Sequence, residues 1–199
     1  MRDRYVGKLG TDVYGIAVNE AKLAHIALTG DEAAATSAAG VLAATAGSTS
    51  ATAQVITDDI TNPPYPRNVL LTIAGTDTDV KAGSLIVTGT NIRDEVITET
   101  FTLENNTDTD QVGDKAFKTV TSVTIPQQDG TGCTFAIGLG VKLGLPFELD
   151  KKTCIMALHN GTIETTAPTQ AIDADDVENN TITLDTTLDG EEVDIYLAL

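Results

Sequence analysis

Between Pro66 and Ile125 the chain alternates apolar and polar positions with a period of two, in short segments rich in Val, Ile, Thr and Phe separated by Gly, Asn and Asp. This is the pattern of antiparallel strands with one wet face. Val69, Leu71 and Ile73 share one face, Leu85 and Val87 a second, Ile97, Phe101 and Leu103 a third, and Phe117, Thr119, Thr121, Val123 and Ile125 a fourth. The solvent-side positions are nearly all Thr, Ser, Lys or Glu, and helix periodicity is missing. No cluster of His, Cys or Ser interrupts the block, so it reads as architecture.

Turn chemistry extends the pattern toward the C-terminus. Asn160-Gly161 lies between Cys154–His159 and Thr162–Thr166, and Asp189-Gly190 between Thr181–Leu188 and Glu191–Leu199. Both dipeptides suit tight hairpin turns, so C-terminal hairpins are expected from about residue 150. Val193, Ile195, Leu197 and Leu199 alternate, which predicts a last strand inside a sheet. Upstream, Thr61-Asn62-Pro63-Pro64-Tyr65-Pro66 forces an extended path that no central strand can contain. Residues 1–53 are rich in Ala, Gly, Thr and Ser; Asn19–Thr29 predicts one short helix, and Asp31–Ala53 lacks the large apolar groups of a core. The expected fold is therefore all-β: an antiparallel β-sandwich or jelly-roll-like body over 54–199, with an extended N-terminal arm over 1–53 that contains the helix or supplies a strand to another chain's sheet.

Composition bears on partners. A chain of 199 residues and 20.8 kDa buries about 70% of its unfolded surface when compact, enough for one domain. Aromatic residues make up only 4% and Trp is absent, so the core consists of small side chains and help from partner subunits is expected. A homo-oligomer is expected, a trimer being the favoured form. The net charge of −17 excludes a nucleic-acid binder that works through its overall field, since such proteins cluster Lys and Arg against phosphate. Its effect is solubility. Arg2, Arg4 and Lys8, against the single acid Asp3, nevertheless make the first ten residues a basic tip on an acidic body. With Tyr5, they are candidate contacts to an acidic neighbour or a sister subunit; a solvated chain end is the plainer alternative.

Nothing in the first thirty residues forms the apolar run of a signal peptide, and no later run approaches the ~18 residues of a membrane span. Synthesis and residence in the cytosol, with no membrane partner, are expected. Cys133 and Cys154 then read as reduced core residues. A bridge between them would close a loop of about 20 residues, worth about 3 kcal/mol in the chain-entropy model, and their spacing makes no zinc site.

Candidate chemistry is sparse. Gly138-Leu139-Gly140 with Gly144 has the wrong spacing for a phosphate loop, with Pro146 where the following helix would begin, so a bulge or turn is expected. Asp173, Asp175, Asp176 and Glu178 form one acidic cluster and Asp108, Asp110 and Asp114 another; neither has the ligand order of a calcium loop, and solvated loops are expected. His25 falls on the predicted helix and His159 against the Asn160-Gly161 turn. Cys154, five positions before His159, faces the other side of a strand and gives it no nucleophile. Asn105, Asn160 and Asn179 begin sequons that, without secretion, mean polar turns. No catalytic residue, cofactor or metal site is assigned.

The runs Ile60-Thr61-Asn62-Pro63-Pro64-Tyr65-Pro66-Arg67-Asn68-Val69, Val87-Thr88-Gly89-Thr90-Asn91, Glu95-Val96-Ile97-Thr98-Glu99 and Lys115-Ala116-Phe117-Lys118-Thr119-Val120-Thr121-Ser122-Val123, with Gly140-Val141-Lys142-Leu143-Gly144-Leu145-Pro146, resemble a family of structural proteins of tailed-bacteriophage virions. The resemblance covers most of residues 54–199 and is weakest over the first 53. It implies a virion or head-associated protein, with decoration or cementing of the capsid as its role. It also implies the phage major capsid protein as partner, the outer surface of the head as location, and no active-site residues. The alternatives are a tail or fibre component and a surface carbohydrate-binding module. For the latter, zero Trp and four Tyr supply few faces to stack on sugars.

Overall fold

A computed structural model describes residues 22–199. The strands are β1 Leu23–Leu28, β2 Ser37–Ala46, β3 Gln54–Ile56, β4 Arg67–Gly75, β5 Gly83–Thr90, β6 Val96–Leu103 and β7 Gln111–Phe117, followed by β8 Thr119–Ile125, β9 Cys133–Gly144, β10 Cys154–His159, β11 Thr162–Ile163, β12 Thr169–Ala171, β13 Thr181–Thr183 and β14 Val193–Ala198. Of the described residues 51% are strand and 3% helix, the latter in two short 3-10 turns. The protein is all-β and every strand pair is antiparallel. Among the described residues no helix is long and apolar enough to cross a membrane.

Three sheets form, one of them part of a curled half-barrel. The first has the order β1-β14-β10-β11, the second β12-β13-β9-β4-β7 with β2 also on β9, and the third β3-β8-β5-β6. The period-two faces explain the packing. Val69, Leu71 and Ile73 on β4, with Phe135 and Ile137 on β9, pack in one core with Leu85 and Val87 on β5, Phe101 on β6 and Val123 and Ile125 on β8. A second core gathers Leu143, Leu145 and Ile182 with Val193, Ile195 and Leu197 of β14 and Leu28 of β1. Each such aliphatic contributes ~1.5–3 kcal/mol when fully buried. The long strand β9 feeds both cores, so it joins the two halves of the molecule.

Several expectations are corrected. The described part of the helix predicted over Asn19–Thr29 is strand: Leu23–Leu28 pairs residue by residue with Ala198–Val193. Ala24, Ile26 and Leu28 turn one face to the second core, and that tertiary pairing overrides the helix preference of an Ala- and Leu-containing hexapeptide. Residues 23–46 likewise do not stand apart as an arm. They place β1 beside β14 and β2 beside β9, and Val41 and Leu42 are buried in the first core. Small residues make this possible, because a Cβ on Gly138 would lie 2.0 Å from the Ser37 carbonyl oxygen. The remainder of the predicted arm and helix, residues 1–21, lies outside the described residues.

The fourth predicted face divides as well. Phe117 closes β7 in the second sheet while β8 belongs to the third. A bulge then places Thr121 between Val120, opposite Gly89, and Ser122, opposite Thr88, so Val120 is buried and Thr121 exposed. At this crossing a Cβ on Gly89 would sit 1.9 Å from the Thr119 carbonyl oxygen and 2.8 Å from the Phe117 ring. Gly89→Ala is therefore expected to destabilise the fold by about 1–3 kcal/mol, read as a lowered denaturant midpoint with an unchanged slope.

Of the two turns, Asn160-Gly161 closes the two-residue hairpin of β10 and β11 with φ of 47° and 69°, the geometry of a type I′ turn. Asp189-Gly190 joins no hairpin: β13 and β14 lie in different sheets. Strand β14 sits between β1 and β10, inside its sheet as the alternation predicts. The proline segment contains no strand and is pinned at both ends. The Asn62 side chain accepts from the Val120 N–H at 2.8 Å, and the Tyr65 hydroxyl donates to the Gly144 carbonyl at 2.9 Å. Burial, then the charge of Glu32, pushes the Tyr65 hydroxyl up to about 12, so it remains a donor at neutral pH.

Candidate functional site

The densest polar arrangement is built on β4. Between Arg67 and Val69 the partner position on β9 advances from Leu143 to Leu139, and between Asn68 and Leu70 that on β7 advances from Ala116 to Val112. Both neighbours thus bulge at the same level. The Asn68 side chain fills the gap, its amide nitrogen donating to the Gly113 carbonyl and its oxygen accepting from the Lys142 N–H, each at 2.8 Å. Gly140 is needed here, since a Cβ would lie 2.1 Å from the Asn68 oxygen. The Gly138–Gly140 run therefore borders a bulge in a strand, one of the two forms expected. Arg67 is fully buried beside it. Its Nε donates to the Gly140 carbonyl at 2.8 Å, one terminal nitrogen to the same carbonyl, and the other to the Ala34 carbonyl at 2.7 Å. Burial pushes the guanidinium down to about 10, still charged at neutral pH. This is a structural clamp with no opening for substrate.

Four carboxylates of the acidic clusters have partners within the protein, those of Asp173, Glu178, Asp110 and Asp114. Asp173 accepts from the Asp175 and Asp176 N–H groups at 2.9 and 3.0 Å and from the Asn179 amide at 3.0 Å. Those bonds, the Asn179 one foremost, hold its carboxyl below the ordinary aspartate value. Glu178 points elsewhere, accepting from the Asn91 amide at 3.1 Å with Lys115 Nζ at 3.9 Å. In the second cluster Asp110 accepts from the Ile73 N–H at 3.0 Å and Asp114 pairs with Lys142. Among the described residues no three His, Cys, Asp or Glu converge as metal ligands. Asn180, read in sequence as part of a polar turn, is instead fully buried and bonds four backbone groups.

The histidines pair with carboxylates. His25, on strand β1, stacks on Tyr196 at 4.4 Å between centroids and lies 2.6 Å from Asp194. His159 lies 3.0 Å from Asp189. Cys133 and Cys154 are unpaired thiols, both pushed up by burial, with Cys154 packed against the second core. The candidate contacts Arg2, Arg4, Tyr5 and Lys8 lie outside the described residues.

The sequence did not single out the sheet edges. Leu23 on β1, Val55 on β3, Val96 on β6, Val112 on β7 and Ile163 on β11 are between 58% and 76% exposed, and all five strands are outermost in their sheets. The signal was present as apolar residues on the solvent phase of the alternation, as at Val96 beside buried Ile97. Exposed aliphatics on outermost strands favour association, although β6 and β7 are partly covered, Glu99 of β6 accepting from the Asp114 and Lys115 N–H groups of β7. Compared with family models, with curated proteins and with solved structures, the chain gives no match.

Proposed function

We propose that the chain is a non-enzymatic structural protein of a tailed-phage virion, one that binds the assembled head from outside and stabilises it as a decoration or cement protein. Its body is assigned to the β-sandwich or jelly-roll-like class and its working form to a homo-oligomer, with a trimer favoured. The observation that carries this function is the set of exposed aliphatics on outermost strands, combined with polar clusters spent on the protein's own backbone. Such a surface suits association and offers no prepared chemistry. The family resemblance of residues 54–199 supplies the context. A protein that binds only the mature lattice of major capsid protein stabilises that lattice by mass action, and many weak copies act together.

Arg2, Arg4, Tyr5 and Lys8 are assigned to contacts with acidic groups on the capsid or a sister subunit. Every described strand begins at Leu23 or later, so removal of the first ten residues is expected to leave them in place. The truncated protein is expected to sediment with matured heads more weakly than the full chain, and with a flatter salt dependence, because exposed ion pairs are screened within about 10 Å at 0.1 M salt. Equal binding and equal salt dependence would remove the basic tip from the interface. Sedimentation with tails and not heads would replace decoration with a tail role.

A further inference from the structure

Asn91 directly follows β5, at the head of the loop that leads to β6, and is only 1% exposed. The loop closes around its side chain. The Asn91 oxygen accepts from the Arg93 and Glu95 N–H groups at 2.9 and 3.1 Å, and its amide nitrogen donates to two carboxylates, Glu95 at 2.8 Å and Glu178 at 3.1 Å. Glu178 is itself 8% exposed, on the 3-10 turn Val177–Asn179 that packs on β7. Its other oxygen faces Lys115 of β7, with Nζ at 3.9 Å. One buried carboxylate thus has an amine on one side and a carboxamide on the other. Capping the loop would require only the Asn91 oxygen, so the two acids gathered on its nitrogen, beside a lysine, call for a different account.

We propose that Lys115 and Asn91 become joined by an isopeptide bond that the chain forms within itself. Glu178 takes a proton from the Lys115 ammonium, and the freed Nζ, on its flexible stem, swings across to attack Asn91 Cγ. The charge that develops on the Asn91 oxygen is held by the Arg93 and Glu95 N–H groups, which already point at it. Glu178 then passes its proton to the amide nitrogen and the old C–N bond breaks. The departing ammonia takes the second Nζ proton and leaves as ammonium. One C–N bond replaces another, so neither oxidant nor reductant enters.

The product would tie the end of β5, in the third sheet, to β7, in the second. It closes a seam that side chains otherwise bridge, Glu99 accepting from the Asp114 and Lys115 N–H groups and Gln111 donating to the Thr102 carbonyl at 2.7 Å. The reaction occurs once in each molecule and is independent of what the protein binds outside.

Intact-mass measurement of the full-length protein tests it. The expected mass is below that of the sequence by one ammonia, and protease digestion should release a branched peptide joining the segments that contain Asn91 and Lys115. Lys115→Arg should keep the full mass, which separates this bond from ammonia lost at Asn160-Gly161. Glu178→Gln should also keep it over the time in which wild type reacts fully, because a positioned base contributes about a hundredfold or more. A wild-type chain of full sequence mass, without the branched peptide, would overturn the proposal whatever the variants do. Ammonia loss that persists in Lys115→Arg, or complete reaction of Glu178→Gln alongside wild type, would overturn it equally.

Discussion

Arg67→Ala is expected to cost about 3–5 kcal/mol of folding stability, the largest single effect in the molecule. The side chain is fully buried and its three nitrogens saturate the Gly140 and Ala34 carbonyls. Truncation leaves the buried Gly140 carbonyl and the part-buried Ala34 carbonyl without these donors and opens a cavity where the second sheet meets the β1–β2 connection. Among the described residues no carboxylate pairs with this guanidinium. Its role is therefore to donate to carbonyls, and Arg67→Met, which restores most of the volume, should recover only part of the loss. Equilibrium denaturation of the two variants checks the order; an alanine variant within about 1 kcal/mol of wild type would show that water replaces the guanidinium without cost.

The second large effect is expected at Asn180. Its oxygen accepts from the Leu149 and Asp173 N–H groups at 3.2 and 2.9 Å, and its nitrogen donates to the Asp173 and Asp176 carbonyls at 2.7 and 3.0 Å. Four bonds of roughly 1 kcal/mol each put Asn180→Ala at about 3–4 kcal/mol. Asn180→Asp keeps the acceptors, loses the donors and adds a buried charge, so it should not rescue. The neighbouring Asp173 gives this loop a pH signature. Its carboxyl is held below the ordinary aspartate value, so the ionised form stabilises the fold above that value, and the contribution is lost as pH falls through the lowered one. Asp173→Asn should flatten the acid limb of the stability curve. Denaturant midpoints across the acid range test this, and an unchanged limb would contradict it.

What was legible in the sequence was what a period of two can carry. Val69, Leu71 and Ile73, Leu85 and Val87, and the β14 alternation fall on core faces as read, because one residue of slip would expose each set. Asn160-Gly161 was legible because its left-handed backbone restricts the choice of residue. Strand β1 was not, since Leu23-Ala24-His25-Ile26-Ala27-Leu28 fits either period and only pairing with β14, some 170 residues away, decides. Strand β2 was hidden for the opposite reason: its small residues look unable to form a core, yet its backbone lies close against β9 because Gly138 has no Cβ. Arg67 and Asn180 belong to residue types that are mostly exposed. Their burial follows from bulges and a loop that leave backbone groups unpaired, and these arise only when distant strands meet.

Association through the sheet edges is tested most directly by hydrogen–deuterium exchange of the free protein and of the protein bound to matured heads. Amides of the outermost strands around Val55, Val96 and Val112 should exchange quickly in the free protein and become protected on the head, while those of β4 and β9 stay slow in both. Heads that sediment without the protein, or binding that leaves every edge amide unchanged, would contradict the account.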